Sequence, residues 1–266
     1  MNVAFVGAGA MATAMAGGLS KTTLFHSYLF VDINDEQLAR VSRLLPTAIT
    51  TKNLSSVGPC DVIVLSVKPQ VAHMVCTQLR PFLRPQQLIL SIMGGISLKS
   101  LAQWLNPTAR IVRSMPNVAL LVNQGTTAYS GNYVATTEDL ALVNQIFAAL
   151  GSCTEVEETQ LDAVTGVSGS SPAFTAIFIE ALADGGVMSG LPRELALHLA
   201  ANAVFGASKM IALGSVSNPA SLKDMVCSPA GTSIAGVSVL EGRAFRSSVI
   251  EAVVAAKKRS SELSNL

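Results

Sequence analysis

An α/β fold, with a doubly wound parallel sheet in the first half and an all-helical second half, is predicted by three observations. A short apolar strand, Asn2–Val6, runs straight into Gly7-Ala8-Gly9-Ala10-Met11-Ala12 and then into helix-forming residues up to Leu19. Strand-length apolar runs then alternate with helical stretches as far as Glu157, the order that builds a parallel sheet covered on both faces. After Glu158 strand patterns stop and long helical stretches follow one another, so the chain divides into domains 1–158 and 159–266.

The first unit is the most informative. Its G-x-G-x-x-A spacing leaves bare backbone where a dinucleotide pyrophosphate can rest on the amides of a helix start, so Val6, Gly7, Ala8, Gly9, Ala10 and Met11 are candidate cofactor contacts. A glycine turn with no ligand is the alternative. A second strand, Tyr28–Val31, ends in Asp32, about twenty residues past the fingerprint, where a carboxylate can accept both ribose hydroxyls of NAD and repel the extra phosphate of NADP. Asp32 could instead cap the helix that begins near Asp35, since Asn34 and Asp35 are capping residues too.

The alternation continues with strands at Ala48–Thr50, Asp61–Ser66, Gln87–Ile92 and Arg110–Ser114, and with helices such as Gln70–Leu79 and Leu98–Trp104. Ligands of such sheets sit at the carboxyl ends of strands, which here carry Ser66-Val67-Lys68-Pro69, Ser91-Ile92-Met93-Gly94-Gly95 and Ser114-Met115-Pro116-Asn117. Lys68 is either a ligand contact or a solvated surface lysine. A strand at Thr126–Ser130, a helix at Thr136–Leu150 and a last short strand at Thr154–Glu157 complete the first domain.

In the second domain Ser168-Gly169-Ser170-Ser171-Pro172 reads as a turn that starts a helix, because serine oxygens cap amides and proline suits the first helical position. From Ala173 to Met188 that helix carries only Glu180 and Asp184 as charges, four residues apart on one face. A helix apolar nearly all round must be covered, and a second subunit is the economical cover. Helices at Leu195–Leu213, Leu222–Met225, Ser233–Leu240 and Phe245–Leu263 follow. Between them, the segment from Lys223 to Ser233 feeds a helix, so the amides of Gly231, Thr232 and Ser233 form either a carboxylate pocket or a plain capping turn.

Composition narrows the function classes. With 266 residues, 50% hydrophobic and 13% charged, the chain can bury a large core, and a net charge of +1 without long runs of one sign indicates neither nucleic acid nor an anionic membrane as partner. Cys60, Cys76, Cys153 and Cys227 form no CxxC pair and share no ligand spacing with His26, His73 or His198, so reduced thiols, no metal and a cytoplasmic location are expected. Residues 1–20 lack a basic start and are broken by four glycines, unlike a secretion signal, and the apolar helix is too short for a membrane span.

The blocks Asp162-Ala163-Val164-Thr165-Gly166-Val167-Ser168-Gly169-Ser170-Ser171-Pro172-Ala173, Gly190-Leu191-Pro192-Arg193, Leu222-Lys223-Asp224 and Ser228-Pro229-Ala230-Gly231-Thr232 closely resemble pyrroline-5-carboxylate reductase. The likeness also takes in the front G-x-G, Val67-Lys68-Pro69 and Met115-Pro116-Asn117, in the family's order and spacing. It implies an N-terminal Rossmann-type sheet, a C-terminal helical dimerisation domain, and hydride transfer from NADPH or NADH to the imine of 1-pyrroline-5-carboxylate, giving L-proline. By position, the resemblance assigns Ser66, Val67, Lys68, Pro69, Ile92, Met93 and Gly94 to the nicotinamide side and Asn53 to the adenosine end. It likewise assigns Gly231, Thr232 and Ser233 to the substrate carboxylate and Glu158 to a position facing the ring nitrogen. It implies an intertwined homodimer, which in some members stacks into rings. This chain departs from the family in having Ala10 where Asn is frequent, Ala230 where Gly is usual, and Asp32 for a small polar residue.

Two other classes are compatible with the front half. A hydroxyacid dehydrogenase needs a lysine on the long helix after the boundary to handle the alcohol proton, and no lysine lies between Lys99 and Lys209. A dinucleotide-binding scaffold without chemistry would differ by failing to oxidise reduced cofactor when the imine is added.

Overall fold

The computed structural model describes residues 1–263; the last three residues of the second expected domain lie outside that range. Strands β1 (Asn2–Val6), β2 (Ser27–Val31), β3 (Ile49–Thr51), β4 (Val62–Leu65), β5 (Leu88–Ser91), β6 (Arg110–Pro116), β7 (Gly125–Gly131) and β8 (Gly151–Glu155) form one sheet in the order β3-β2-β1-β4-β5-β6-β7-β8. The chain builds outward from β1 through β2 to β3, then returns to place β4 on the other side of β1. That reversal opens a crevice at the carboxyl ends of β1 and β4.

Both faces of the sheet are covered, which is why the central strands β1, β2, β4 and β5 read as nearly unbroken apolar runs. Val3 and Phe5 point into one core with residues of α1 (Ala10–Leu19), α2 (Asp35–Leu44) and α5 (Thr137–Ala148), and Phe5 stacks on Phe30 with ring centroids 4.9 Å apart. Ala4 and Val6 point into the other, against α3 (Ala72–Leu79) and α4 (Leu98–Trp104). One expectation is corrected: β7 runs antiparallel to β6, with Ser114 opposite Tyr129. Only residues 117–124 join the two strands, a tight turn around Val118–Val122, whereas a parallel crossover needs about a dozen residues or more. The last strand begins at Gly151 rather than Thr154, and pairs parallel with β7 after the α5 crossover.

The chain forms two compact units. The first is Met1–Ser170 together with the end of the last helix from Val254; the second is Ser171–Val253. In the first unit α6 (Leu161–Val164) runs into a π-turn at Thr165–Gly169, in which the Ser170 amide reaches back to the Thr165 carbonyl at 2.8 Å. Of the expected turn Ser168–Pro172, Ser168 and Gly169 belong to the π-turn, Ser170 is a bend, and Ser171 and Pro172 open the next helix. Thr165 and Ser168 donate their hydroxyls to the carbonyls of Leu161 and Val164, four residues back.

The second unit is made of α7 (Ser171–Met188), α8 (Arg193–Ala212), α9 (Pro219–Val226), α10 (Thr232–Gly242) and the first half of α11 (Phe245–Leu263). α7 and α8 pack through Ala183, Ala196 and Ala200, small residues that let two helices approach closely. Around this thin core Ile177, Met188, Phe205, Leu213, Val239 and Ile250 are more than half exposed. α8 is also long and apolar enough, by composition alone, to cross a bilayer.

Candidate functional site

A cleft of about 520 Å³ opens at the reversal between β1 and β4. Of the expected cofactor residues, Val6, Gly7, Gly9, Asp32, Ser66, Val67 and Lys68 line it. Gly7 crosses from β1 into the turn with φ +104°, and its amide donates to the Val31 carbonyl at 2.8 Å. Ser66, at the end of β4, ties the two strands by donating its hydroxyl towards the carbonyls of Val6 (3.0 Å) and Gly7 (2.8 Å). Gly9 is the cap of α1 and has no side chain to spend on the helix amides, so the first-turn N–H groups are left for an anion.

Asp32 belongs to this turn. Its Oδ2 accepts the Ala8 amide at 2.7 Å and its Oδ1 accepts the Asn34 amide at 2.9 Å. The cap of α2 is Asn34, whose oxygen accepts from Glu36 and Gln37, so Asp32 is not needed there. The helix-cap alternative therefore goes to Asn34, and the carboxylate stands at the cleft wall joining the ends of β1 and β2.

The cleft suits a dinucleotide on two counts. A Cβ built on Gly9 would meet no atom within 4 Å, so the space a side chain would take is open at the helix start. Gln37 lines the same cleft, and its buried Oε1 has no hydrogen-bond partner. Gln37 and Lys52 carry no local signature in the sequence, one lying in the first turn of α2 and the other just after β3. Lys52 pairs with Asp35 at 2.8 Å.

Other expected contacts lie elsewhere in this unit. Ala8 is fully buried, while Ala10 and Met11 open α1. Asn53 sits between two lining residues but accepts from the Ser55 amide and hydroxyl, capping the short turn Leu54–Val57. Pro69 begins the turn Pro69–Val71. Ile92, Met93 and Gly94 follow β5, next to the β4 end; Met93 is buried and its amide donates to the Ser91 hydroxyl at 3.3 Å. They do not line the cleft.

Glu158 is anchored. Its Oε1 accepts the Leu98 amide at 2.7 Å, capping α4 from a point 60 residues away, and accepts the buried Arg113 guanidinium at 3.1 Å. Arg113 also faces Asp162 at 3.7 Å, and Asp162 accepts the hydroxyls of Ser260 and Ser261. Glu158 lines a second cavity of about 460 Å³ beside α4, which shares no residue with the cleft. Among the described residues no group of three or more His, Cys, Asp or Glu is arranged to hold a metal. Burial pushes the Cys76 thiol up to about 12, and also raises Cys60 and Cys153.

In the helical unit Gly231 caps α10 without a side-chain bond, leaving the amides at Thr232 and Ser233 uncapped. A Cβ on Gly231 would run into the Ser228 hydroxyl, so the turn is tight. Lys223 pairs with Asp224 at 2.6 Å, and that hydrogen bond and charge raise the lysine's pKa. Ala230 holds φ +54°, a left-handed conformation that costs a residue with a Cβ about 1–2 kcal/mol. Ala230→Gly should therefore stabilise the chain by about 1 kcal/mol or less, after the extra freedom glycine gains when unfolded. A thermal midpoint that stays level or falls would contradict this.

Residues 158–263 match a family model described as pyrroline-5-carboxylate reductase dimerisation, and residues 2–95 match one described as NADP oxidoreductase, coenzyme F420-dependent. The chain is 42% identical over 261 residues to the pyrroline-5-carboxylate reductase of Pisum sativum, covering 98% of this chain and 95% of that one. It is 38% identical over 272 residues to pyrroline-5-carboxylate reductase 2 of Homo sapiens, covering 100% and 85%. Among solved structures it resembles the Plasmodium falciparum pyrroline carboxylate reductase with NADP bound, with a TM-score of 0.89 and 30% identity over 99% of this chain and 98% of that one.

Proposed function

The chain belongs to the pyrroline-5-carboxylate reductase family, and on that premise we propose how its residues divide the work. It is an NAD(P)-dependent oxidoreductase of proline biosynthesis, reducing 1-pyrroline-5-carboxylate to L-proline. The observation that carries the residue assignment is the cleft at the β1–β4 reversal, with its uncapped helix start at Gly9 and its carboxylate at Asp32. When bound there, the reduced dinucleotide supplies the hydride.

The turn Val6–Met11 would hold the pyrophosphate on the α1 amides, and Ser66 to Pro69 with Ile92 to Gly94 would border the nicotinamide. Gly231, Thr232 and Ser233 would take the substrate carboxylate on the start of α10. Glu158 has one oxygen committed to Leu98 and Arg113, so Oε2 is the atom left to face a ring nitrogen. A protonated imine accepts hydride readily, so the chain's task is to align two carbons and exclude water rather than to supply a strong acid.

The exposed apolar side chains of the second unit fall within the stretch matched by the dimerisation model, which supports a homodimer and reads α8 as a subunit-facing helix. Stacking of dimers into rings would follow the family resemblance, and sedimentation would read it. Four unpaired cysteines suit a reducing compartment such as the cytoplasm.

For the cofactor, Asp32 favours NADH, because a 2′-phosphate would meet its charge at the cleft wall. The test follows consumption of NADH and NADPH in separate assays, with the imine, by the parent chain and by Asp32→Ser. The parent should turn over with both and prefer NADH. The variant should raise the NADPH to NADH ratio of kcat/KM by about tenfold or more. An unchanged ratio removes Asp32 from cofactor choice, and no turnover by the parent with either cofactor would defeat the reading itself.

A further inference from the structure

Asn117 stands where β6 ends and is almost fully buried, with 8% of its surface exposed. Its carboxamide makes three bonds: Oδ1 accepts the amides of Ala119 (3.2 Å) and Thr126 (3.1 Å), and Nδ2 donates to the Ser168 carbonyl at 3.1 Å. The first two fix the return from β6 into β7. The third reaches 51 residues along the chain into the π-turn Thr165–Gly169.

A π-turn has poorer internal hydrogen bonding than an α-helix and is seldom kept without an outside restraint or a functional reason. Asn117 is an outside restraint, and its neighbour is another. A Cβ on Gly169 would come within 2.9 Å of the Met115 methyl, so the end of β6 lies against the π-turn through two side chains. That end is itself fixed to β5, since the Ser114 hydroxyl donates to the Ser91 carbonyl at 3.0 Å and the Ser91 hydroxyl takes the Met93 amide. A continuous set of bonds thus runs from the loop Ile92–Gly94 to the turn from which, after Ser170, the chain enters the helical unit.

We propose that Asn117 is a positioning residue for imine reduction: by holding the π-turn at Ser168 against the end of β6 it steadies, through Ser114 and Ser91, the loop Ile92–Gly94 proposed to border the nicotinamide. Alignment of donor and acceptor carbons tolerates little error, and a displacement of about 1 Å can cost about a hundredfold in rate. Asn117 lines neither the cleft nor the second cavity. It acts through the backbone it restrains.

Asn117→Asp isolates the third bond, because an aspartate keeps an oxygen for the Ala119 and Thr126 amides and loses only the N–H given to Ser168. Its kcat with the imine should fall about tenfold or more, while the dissociation constant for NADH, read by nicotinamide fluorescence, stays within about twofold of the parent. Lowering the pH should restore part of the activity relative to the parent at each pH, because a protonated carboxyl can again donate to the Ser168 carbonyl. Asn117→Ala, which loses all three bonds, should lose activity without that recovery. A kcat equal to the parent's in Asn117→Asp would overturn the proposal. So would an NADH dissociation constant that rises in step with the fall in kcat, or a deficit that does not change with pH. If the alanine variant does not fold, the aspartate series decides alone.

Discussion

Gly7→Ala should cost this reductase its dinucleotide binding, with kcat/KM for NADH lower by about a hundredfold or more and a thermal midpoint several degrees below the parent. Gly7 has φ +104°, where a residue with a Cβ is strained. The added methyl would also lie 2.7 Å from the Ser66 carbonyl oxygen and 2.9 Å from the Val67 amide nitrogen. These are backbone atoms at the end of β4, held by the Ser66 hydroxyl, so no side chain can swing aside. β1 and β4 must part at the point where the cleft forms, at a cost of about 3 kcal/mol. Gly9→Ala is the control. Its Cβ meets nothing in the protein, so the fold should melt as the parent does while the methyl takes up cleft space and weakens NADH binding. If Gly7→Ala keeps the parent's KM for NADH, the turn is not where the cofactor sits.

The second large effect is expected at Arg113. Its side chain is 8% exposed and faces two carboxylates, Glu158 at 3.1 Å and Asp162 at 3.7 Å. Arg113→Met fills similar volume but leaves both carboxylates without a countercharge, and breaking a buried pair in this way costs about 3 kcal/mol or more. Glu158→Gln should cost less, about 1 kcal/mol, because an amide oxygen can still accept from Leu98. Denaturant midpoints for the two variants measure the difference. The same Glu158→Gln protein also reports on the ring-nitrogen role. A kcat close to the parent's would leave Glu158 as an anchor of α4 alone, whereas a collapse in kcat with little change in stability would support contact with the substrate. Arg113→Met as stable as the parent would mean that the carboxylates find other partners.

These two predictions differ in how far the sequence foresaw them. Gly7 was visible because strand, glycine turn and helix are neighbours along the chain, and β1 and α1 begin and end where the residue pattern places them. Asp32 was visible for the same reason, although its bond to the Ala8 amide was not. The pairing of Glu158 with Leu98 and Arg113 joins residues 60 and 45 positions apart, and no spacing rule points to such partners. Asn117 likewise looked like one more loop residue, because two of its three bonds stay local and only the third, to Ser168, gives it a wider task. The serines and glycines at 168–171 suit a turn as well as a helix start, and the structure carries the π-turn back to Thr165, with Asn117 and Met115 against it.

By itself the sequence determined the order of strands and helices, the glycine turn proposed to receive a dinucleotide and the blocks that carry the family likeness. The first two rest on backbone preference and hydrophobic period, which act between near neighbours, and the third on the residue blocks themselves. Only the tertiary structure decided that β7 turns back against β6, that Asn34 rather than Asp32 caps α2, and that Arg113, Glu158 and Asn117 bind together distant segments. The first follows from the short connection and the second from a local choice between two acceptors, while the pairings of Arg113, Glu158 and Asn117 depend on which polar groups the folded sheet brings together. A buried donor or acceptor must find a partner wherever the fold brings one.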